Sequence, residues 1–222
     1  PKVQRELIKN LKEQGKKIVF VNCSGSAMGL AQEDELCDAV LQAWYPGEAG
    51  GSAVAETLFG LNNPAGRLPV TFYTGDSQLP DFEDYDMAGR TYRYMREKPL
   101  YAFGHGLSYT TFDYDTPTAS KAKEGDTVKL SVNVKNTGKR EGDEVVQVYV
   151  KNPKDRELNK TLRAFKRINL KAGEARDVEF ELGPDAFAFF NPESGEMEAQ
   201  TGIYEVEVGG ASDKTTCINI KY

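Results

Sequence analysis

The sequence predicts an α/β layer followed by an all-β sandwich, and three observations carry that prediction. A helix-period set, Val3, Leu7, Ile8 and Leu11, leads to the short apolar run Ile18-Val19-Phe20-Val21, the pattern of a buried parallel strand. Past Asp115-Thr116-Pro117 the chain changes to short alternating runs at regular spacing. Between these regions Gly, Pro and Asn cluster as turn chemistry, at 46–51 and 62–67.

Taken in order, the first helix ends at Gly15, a residue suited to the left-handed position that closes a helix. Pro1 ahead of that helical pattern reads as a helix already packed on a partner, so an upstream region is expected. The strand 18–21 opens into Asn22-Cys23-Ser24-Gly25-Ser26, a polar loop at the carboxyl end of a strand, where α/β folds place ligands. It is a candidate site wall. Glu33-Asp34-Glu35 then begin a helix expected to run through Leu36, Ala39, Val40 and Ala43, with the acids in the first turn favoured by the helix dipole. Ala43-Trp44-Tyr45 ends it, and the turn at 46–51 opens a further helix over 52–59, whose face is Val54, Ala55, Leu58 and Phe59 and whose stop is Gly60.

Residues 68–73 read as a strand that Pro69 restricts to a sheet edge, and 74–87 as an acidic loop. Arg90-Thr91-Tyr92-Arg93-Tyr94 and Leu100-Tyr101-Ala102-Phe103 alternate as strands, and Gly104-His105-Gly106 turns tightly into 107–112. The α/β layer is expected to close with strands near residue 112, giving domains 1–115 and 116–222. In the second domain 128–134, 145–150, 162–168, 175–182, 203–208 and 217–220 are strands. Turn signals at Asn136-Thr137-Gly138, Lys171-Ala172-Gly173, Ser194-Gly195 and Gly209-Gly210 separate them, as an immunoglobulin/fibronectin type III-like sandwich requires.

The 222 residues suffice for two cores; 39% are hydrophobic and 10% aromatic, a globular composition. The formal net charge is −6, with 11 basic and 16 acidic residues through Asp115 and 17 and 18 beyond it. Neither half offers a polyanion the counterion release that drives binding, so nucleic acid and anionic membrane are excluded as partners, while a neutral sugar fits. No apolar run reaches the 18 or so residues of a membrane span, and 1–10 is not a signal peptide. Cys23, Cys37 and Cys217 lack metal or disulfide spacing and read as small buried thiols; with one histidine, a histidine-rich metal centre is excluded.

The candidate chemistry is sparse. Glu33, Asp34, Glu35 and Glu48 lie near strand ends and could act as a general acid only with a pKa raised by burial or a second carboxylate; helix capping is the competing reading for the first three. The Gly47–Gly51 turn before a helix could cradle phosphate, but it lacks GxGxxG and the P-loop lysine, so it reads as a packing turn. His105 reads as a structural imidazole in its turn. Arg67, Arg90 and Arg93 read as architectural bridges to acids, and Trp44 and Tyr45, able in principle to stack on a sugar, as buried at a helix end.

Trp44-Tyr45-Pro46-Gly47-Glu48-Ala49-Gly50-Gly51, Leu58-Phe59-Gly60 and Asn63-Pro64-Ala65-Gly66-Arg67-Leu68-Pro69 resemble the C-terminal α/β-sandwich domain of family 3 glycoside hydrolases, whose layers are flavodoxin-like. Gly89–Tyr94 and Tyr101–Thr110 match the same family in the same order, and Leu162-Arg163-Ala164-Phe165 with Leu170–Glu174 is similar to its trailing fibronectin type III-like domain. The resemblance implies an Asp nucleophile on an N-terminal TIM barrel and an acid/base on a loop that precedes the helix beginning here, both upstream of Pro1. It implies a parent β-glucosidase or β-xylosidase, secreted or periplasmic, that removes terminal β-linked sugars from oligosaccharides with retention. This chain is then expected to carry no catalytic residue, metal or cofactor and to be inactive without the missing barrel. The loop Asn22–Met28 leans to the xylosidase-like bacterial members. The alternatives are a non-catalytic carbohydrate-binding or scaffold module, or a nucleotide-binding domain whose phosphate ligands are not found.

Overall fold

The computed structural model describes residues 2–154 and 158–222; Pro1, on which the expected helix start fell, lies outside the described residues. The chain divides into two compact units, one of Pro1–Asn62, Val70–Tyr85 and Lys98–Tyr101, the other of Asn63–Pro69, Asp86–Glu97 and Ala102–Tyr222.

The first unit opens with α1 (Lys2–Glu13), ended by Gly15 at φ 67°. Ile8 is its buried residue, whereas Val3, Leu7 and Leu11 stand exposed along one face. Strand β1 (Val19–Asn22) follows, then α2 (Ala31–Leu36) and β2 (Ala39–Gln42), which pairs parallel with β1 in the register Val19↔Ala39 to Asn22↔Gln42. The helix expected through Ala43 therefore stops at Cys37, whose backbone is extended and whose N–H returns to the Glu33 carbonyl. A short apolar run such as Ala39-Val40-Leu41 fits either period, and the parallel ladder decides it. Asp38 fixes the change, accepting the Ile18 N–H at 2.9 Å and pairing with Lys17, both of which hold its carboxyl below its ordinary value.

Helix α3 (Gly50–Leu58) ends in a Schellman motif: Gly60, at φ 71°, donates to the Thr57 carbonyl and Leu61 to that of Glu56. Its expected face is not a core face here, because Leu58 and Phe59 are exposed. The strand expected over 68–73 reduces to one antiparallel bridge, Phe72↔Tyr101. Pro69 and the following turn leave no room for a ladder.

The second unit is a sandwich. One sheet sets β3 (Phe112–Tyr114) and β4 (Thr118–Ala119) on one side of β5 (Val128–Asn136) and β8 (Ala175–Leu182) on the other. Facing it, β6 (Gly142–Val150), β7 (Thr161–Leu170), β11 (Ile203–Ala211) and β12 (Lys214–Lys221) run in the order β12-β11-β6-β7. A hairpin of β9 (Ala188–Asn191) and β10 (Glu196–Ala199) turns at Ser194-Gly195. Alternation makes the core: Val128, Leu130, Val132 and Val134 face Val146, Val148, Val150, Val206 and Val208, each 0–1% exposed. Each such side chain contributes about 1.5–3 kcal/mol by burial.

Strand β3 pairs with β5 in the sandwich, so the strand expected to close the α/β layer near 112 belongs to the other fold. Arg90–Tyr94 is also not a strand but contains a single helical turn, α4 (Thr91–Tyr94), with Thr91 at φ 54°. Its Tyr92 ring stacks on Phe103 at 4.3 Å and meets Tyr149 edge-on at 5.9 Å, and that packing overrides the local alternation. The thiols are not buried either. Cys23 and Cys217 are exposed and Cys37 half-buried, because Cys23 lies just past β1 and Cys217 on the solvent side of edge strand β12.

Candidate functional site

The polar loop singled out in the sequence sits at the carboxyl ends of both parallel strands. Asn22, the last residue of β1 and 6% exposed, donates through Nδ2 to Gln42 Oε1 at 2.6 Å and to Ser24 Oγ at 2.9 Å. Gln42, its register partner on β2, donates to the Ser24 carbonyl and hydroxyl at 3.3 Å, and Ser24 Oγ donates to the Ser26 carbonyl at 2.9 Å. This closed set holds the loop 23–26 against the exit of β2. Nothing in the sequence marks Gln42 for this role, because the helical period expected through Ala43 does not place it at a strand end, where the structure has it.

Trp44 leaves β2 at φ 55° and turns its ring onto Phe72, 6.2 Å centroid to centroid and edge-on, with Tyr101 5.9 Å beyond Phe72. Tyr45, expected to be buried, is 80% exposed. Pro46 packs on Gly50 so closely that a Cβ there would lie 2.3 Å from it, which explains the Gly-rich turn as packing.

The four candidate acids are not assembled as a pair. Glu33 is 5% exposed; its Oε1 receives Arg5 Nε at 3.2 Å, and its Oε2 is buried without a hydrogen-bond partner. Asp34 Oδ1 accepts the Tyr101 hydroxyl at 2.5 Å. Burial and that carboxylate push the Tyr101 phenol well above its ordinary value. Glu35 and Glu48 are exposed. Burial, with Glu33 nearby, also raises the Cys37 thiol, so it is not an activated nucleophile. Among the described residues no three His, Cys, Asp or Glu groups are placed to hold a metal, and no helix is long and apolar enough to cross a membrane.

In the second unit His105 holds a turn: its carbonyl accepts the Leu68 N–H at 2.8 Å, and Gly104 donates to the Leu68 carbonyl at 2.8 Å. Arg67 pairs with Glu144 at 2.7 Å, both side chains under 10% exposed, and Tyr114 donates to the other carboxylate oxygen at 2.8 Å. Arg90 Nε donates to the Asp86 carbonyl, and the Arg93 guanidinium lies 5.6 Å over the Tyr94 ring. The Glu144 partnership had a readable signal, a charged residue in phase with Val146, Val148 and Val150.

These features define a class: an α/β unit with a ligand-end loop, whose four candidate acids are not paired, followed by a fibronectin-type sandwich. Residues 1–109 match the glycosyl hydrolase family 3 C-terminal domain and 144–212 a fibronectin type III-like domain, so the chain belongs to glycosyl hydrolase family 3. It is 47% identical over 213 residues to a xylan 1,4-beta-xylosidase of Xylanibacter ruminicola, covering 96% of this chain and 25% of that protein. It is 38% identical to a periplasmic beta-glucosidase of Salmonella typhimurium, covering 94% of this chain and 29% of that one. Among solved structures, a beta-glucosidase from Listeria innocua in complex with glucose superposes with a TM-score of 0.88 at 30% identity, over all of this chain and 33% of that chain. The chain thus spans a quarter to a third of the length of these relatives.

Proposed function

We propose that this chain is the C-terminal part of a retaining, exo-acting β-glycosidase that removes terminal β-linked xylose or glucose from oligosaccharides. The 47% identity to a xylan 1,4-beta-xylosidase over nearly the whole chain carries the reading and favours xylose. Residues 1–109 supply the closing part of the α/β-sandwich domain, and the sandwich that starts with β3 supplies the fibronectin type III-like domain. Retaining hydrolysis needs two carboxyl groups about 5–5.5 Å apart. Glu33 is tied to Arg5, Asp34 to Tyr101, and Glu35 and Glu48 stand in water, which supports a reading in which the nucleophile and the acid/base come from a part of the enzyme outside this chain. The parent enzyme works in the periplasm or outside the cell, as the name of the Salmonella relative supports. Aryl β-xyloside and aryl β-glucoside assays test the reading. The complete protein turns over at least one of them and the 222-residue chain neither; turnover by the chain that disappears in Glu33→Gln or Glu48→Gln overturns it.

A further inference from the structure

Tyr45 is exposed for a structural reason. Strands β1 and β2 are parallel and end side by side at Asn22 and Gln42, so loops 23–26 and 43–47 leave from the end of the sheet where α/β folds bind ligands. Trp44 holds a left-handed backbone that bulky residues avoid, a strain that persists only where the surroundings impose it. Its effect is to send the Trp44 ring inward to Phe72 and the next side chain outward. The outward ring is supported from beneath. A Cβ on Gly25 would lie 2.5 Å from Tyr45 Cε2, 2.9 Å from Cζ and 3.0 Å from the hydroxyl oxygen, so the ring rests on a stretch of backbone that only glycine leaves open. That backbone is itself fixed by the Asn22, Ser24 and Gln42 bonds. The result is an aromatic ring packed by one edge on Gly25 and 80% exposed, in a loop next to exposed Ser26.

We propose that Tyr45, seated on Gly25 at the carboxyl end of the β1–β2 pair, is a stacking platform for one pyranose ring of a neutral β-linked oligosaccharide. An aromatic face matches the apolar C–H face of a sugar, and a tyrosine has only two side-chain torsions whose freedom is lost on binding. The choice of a sugar as the ligand rests on the glycosidase reading above; the platform itself rests on the geometry of 22–26 and 42–45.

Titration of the 222-residue chain with xylotetraose and cellotetraose, followed by ligand-observed NMR, tests it. Tyr45→Phe retains the affinity, because stacking needs the ring and not the hydroxyl. Tyr45→Ala weakens binding about five- to tenfold. Gly25→Val, which displaces the ring from its seat, weakens it comparably. Phe82→Ala removes another exposed aromatic, 94% exposed in a different loop, and leaves binding unchanged. Circular dichroism confirms that each variant is folded. Wild-type affinity in Tyr45→Ala, or no binding by the unaltered chain, overturns the platform. Hydrolysis by the complete protein alongside either result leaves the glycosidase reading standing and removes this inference alone.

Discussion

Glu144 and Glu207 are both buried in the sandwich, 4% and 6% exposed, and their proton affinities move in opposite directions. At Glu144 burial outweighs Arg67 and Tyr114 and raises the carboxyl above its ordinary value of 4.5. At Glu207 burial also acts upward, but Lys160, Thr215 and Lys151 together outweigh it and the carboxyl falls below 4.5. A raised folded pKa gives stability that is complete below the unfolded value and lost as pH rises through the folded one; a lowered pKa does the reverse. Urea midpoints measured from pH 3 to pH 7 therefore separate the two sites. The penalty of Glu207→Gln grows as pH rises toward about 4.5 and is complete above it, whereas that of Glu144→Gln is constant below about 4.5 and shrinks as pH rises beyond it. Equal pH slopes for the two variants would show that this balance is wrong. Arg67→Ala acts differently, because it leaves the Glu144 carboxylate buried without its cation. Its expected cost is about 3–5 kcal/mol by denaturant unfolding at pH 7, and a loss under 1 kcal/mol would mean that water already screens the pair.

At the scale of elements, glycines separate conformation from packing. Gly104 lies at φ 80°, and a Cβ there would sit 2.1 Å from Gln147 Oε1. Gln147 cannot yield, since its amide donates to the Gly210 carbonyl and its Oε1 accepts the Tyr149 hydroxyl, each at 2.5 Å. Gly15 has φ 67° but nothing within 4 Å of a Cβ. Gly15→Ala is expected to cost about 1 kcal/mol and Gly104→Ala about 2–4 kcal/mol. Equal thermal shifts would mean that backbone strain alone matters at both. The same contrast explains what could be read from the chain. The strands from β5 to β8 and β11 are legible because a face of each meets a core, so Val128 to Val134 and Tyr204 to Val208 alternate apolar with polar residues. Strand β2 was not legible, because four residues carry no period of their own and its partner is 20 residues away. The short helix at Thr91–Tyr94 was not legible either, since its tyrosines answer to Phe103 and Tyr149 rather than to their neighbours. At the candidate site the loop after β1 was visible as a polar run behind an apolar one. The outward turn of Tyr45 was not, because it depends on the left-handed backbone of Trp44.

For the whole molecule, a division at residue 115 separates two kinds of sequence, while compactness draws Asn63–Pro69, Asp86–Glu97 and the segment from Ala102 onward into the unit that holds the sandwich. The upstream segments supply groups the sandwich uses. Arg67 neutralises Glu144, Tyr92 accepts the Leu162 N–H at 3.1 Å through its hydroxyl, and Asn159 donates to the carbonyls of Tyr92 and Met95. Tyr92 and Phe103 together cover Tyr149, which is fully buried at 5.9 and 6.4 Å from their ring centres, and the Phe103 carbonyl accepts the Ser212 N–H. A protein reduced to residues 116–222 loses all of these and β3 as well, leaving Glu144 without a cation and Tyr149 open to water. Three buried interactions worth about 1–5 kcal/mol each exceed much of the 5–15 kcal/mol that holds an ordinary domain. The expected outcome is a fragment with sandwich-like far-ultraviolet dichroism but a broad thermal transition and strong binding of a hydrophobic dye. The 63–222 fragment, which retains Arg67, Tyr92 and Phe103, is expected to unfold cooperatively. Cooperative unfolding of 116–222 at the same temperature as 63–222 would show that the upstream segments lie on the sandwich without stabilising it.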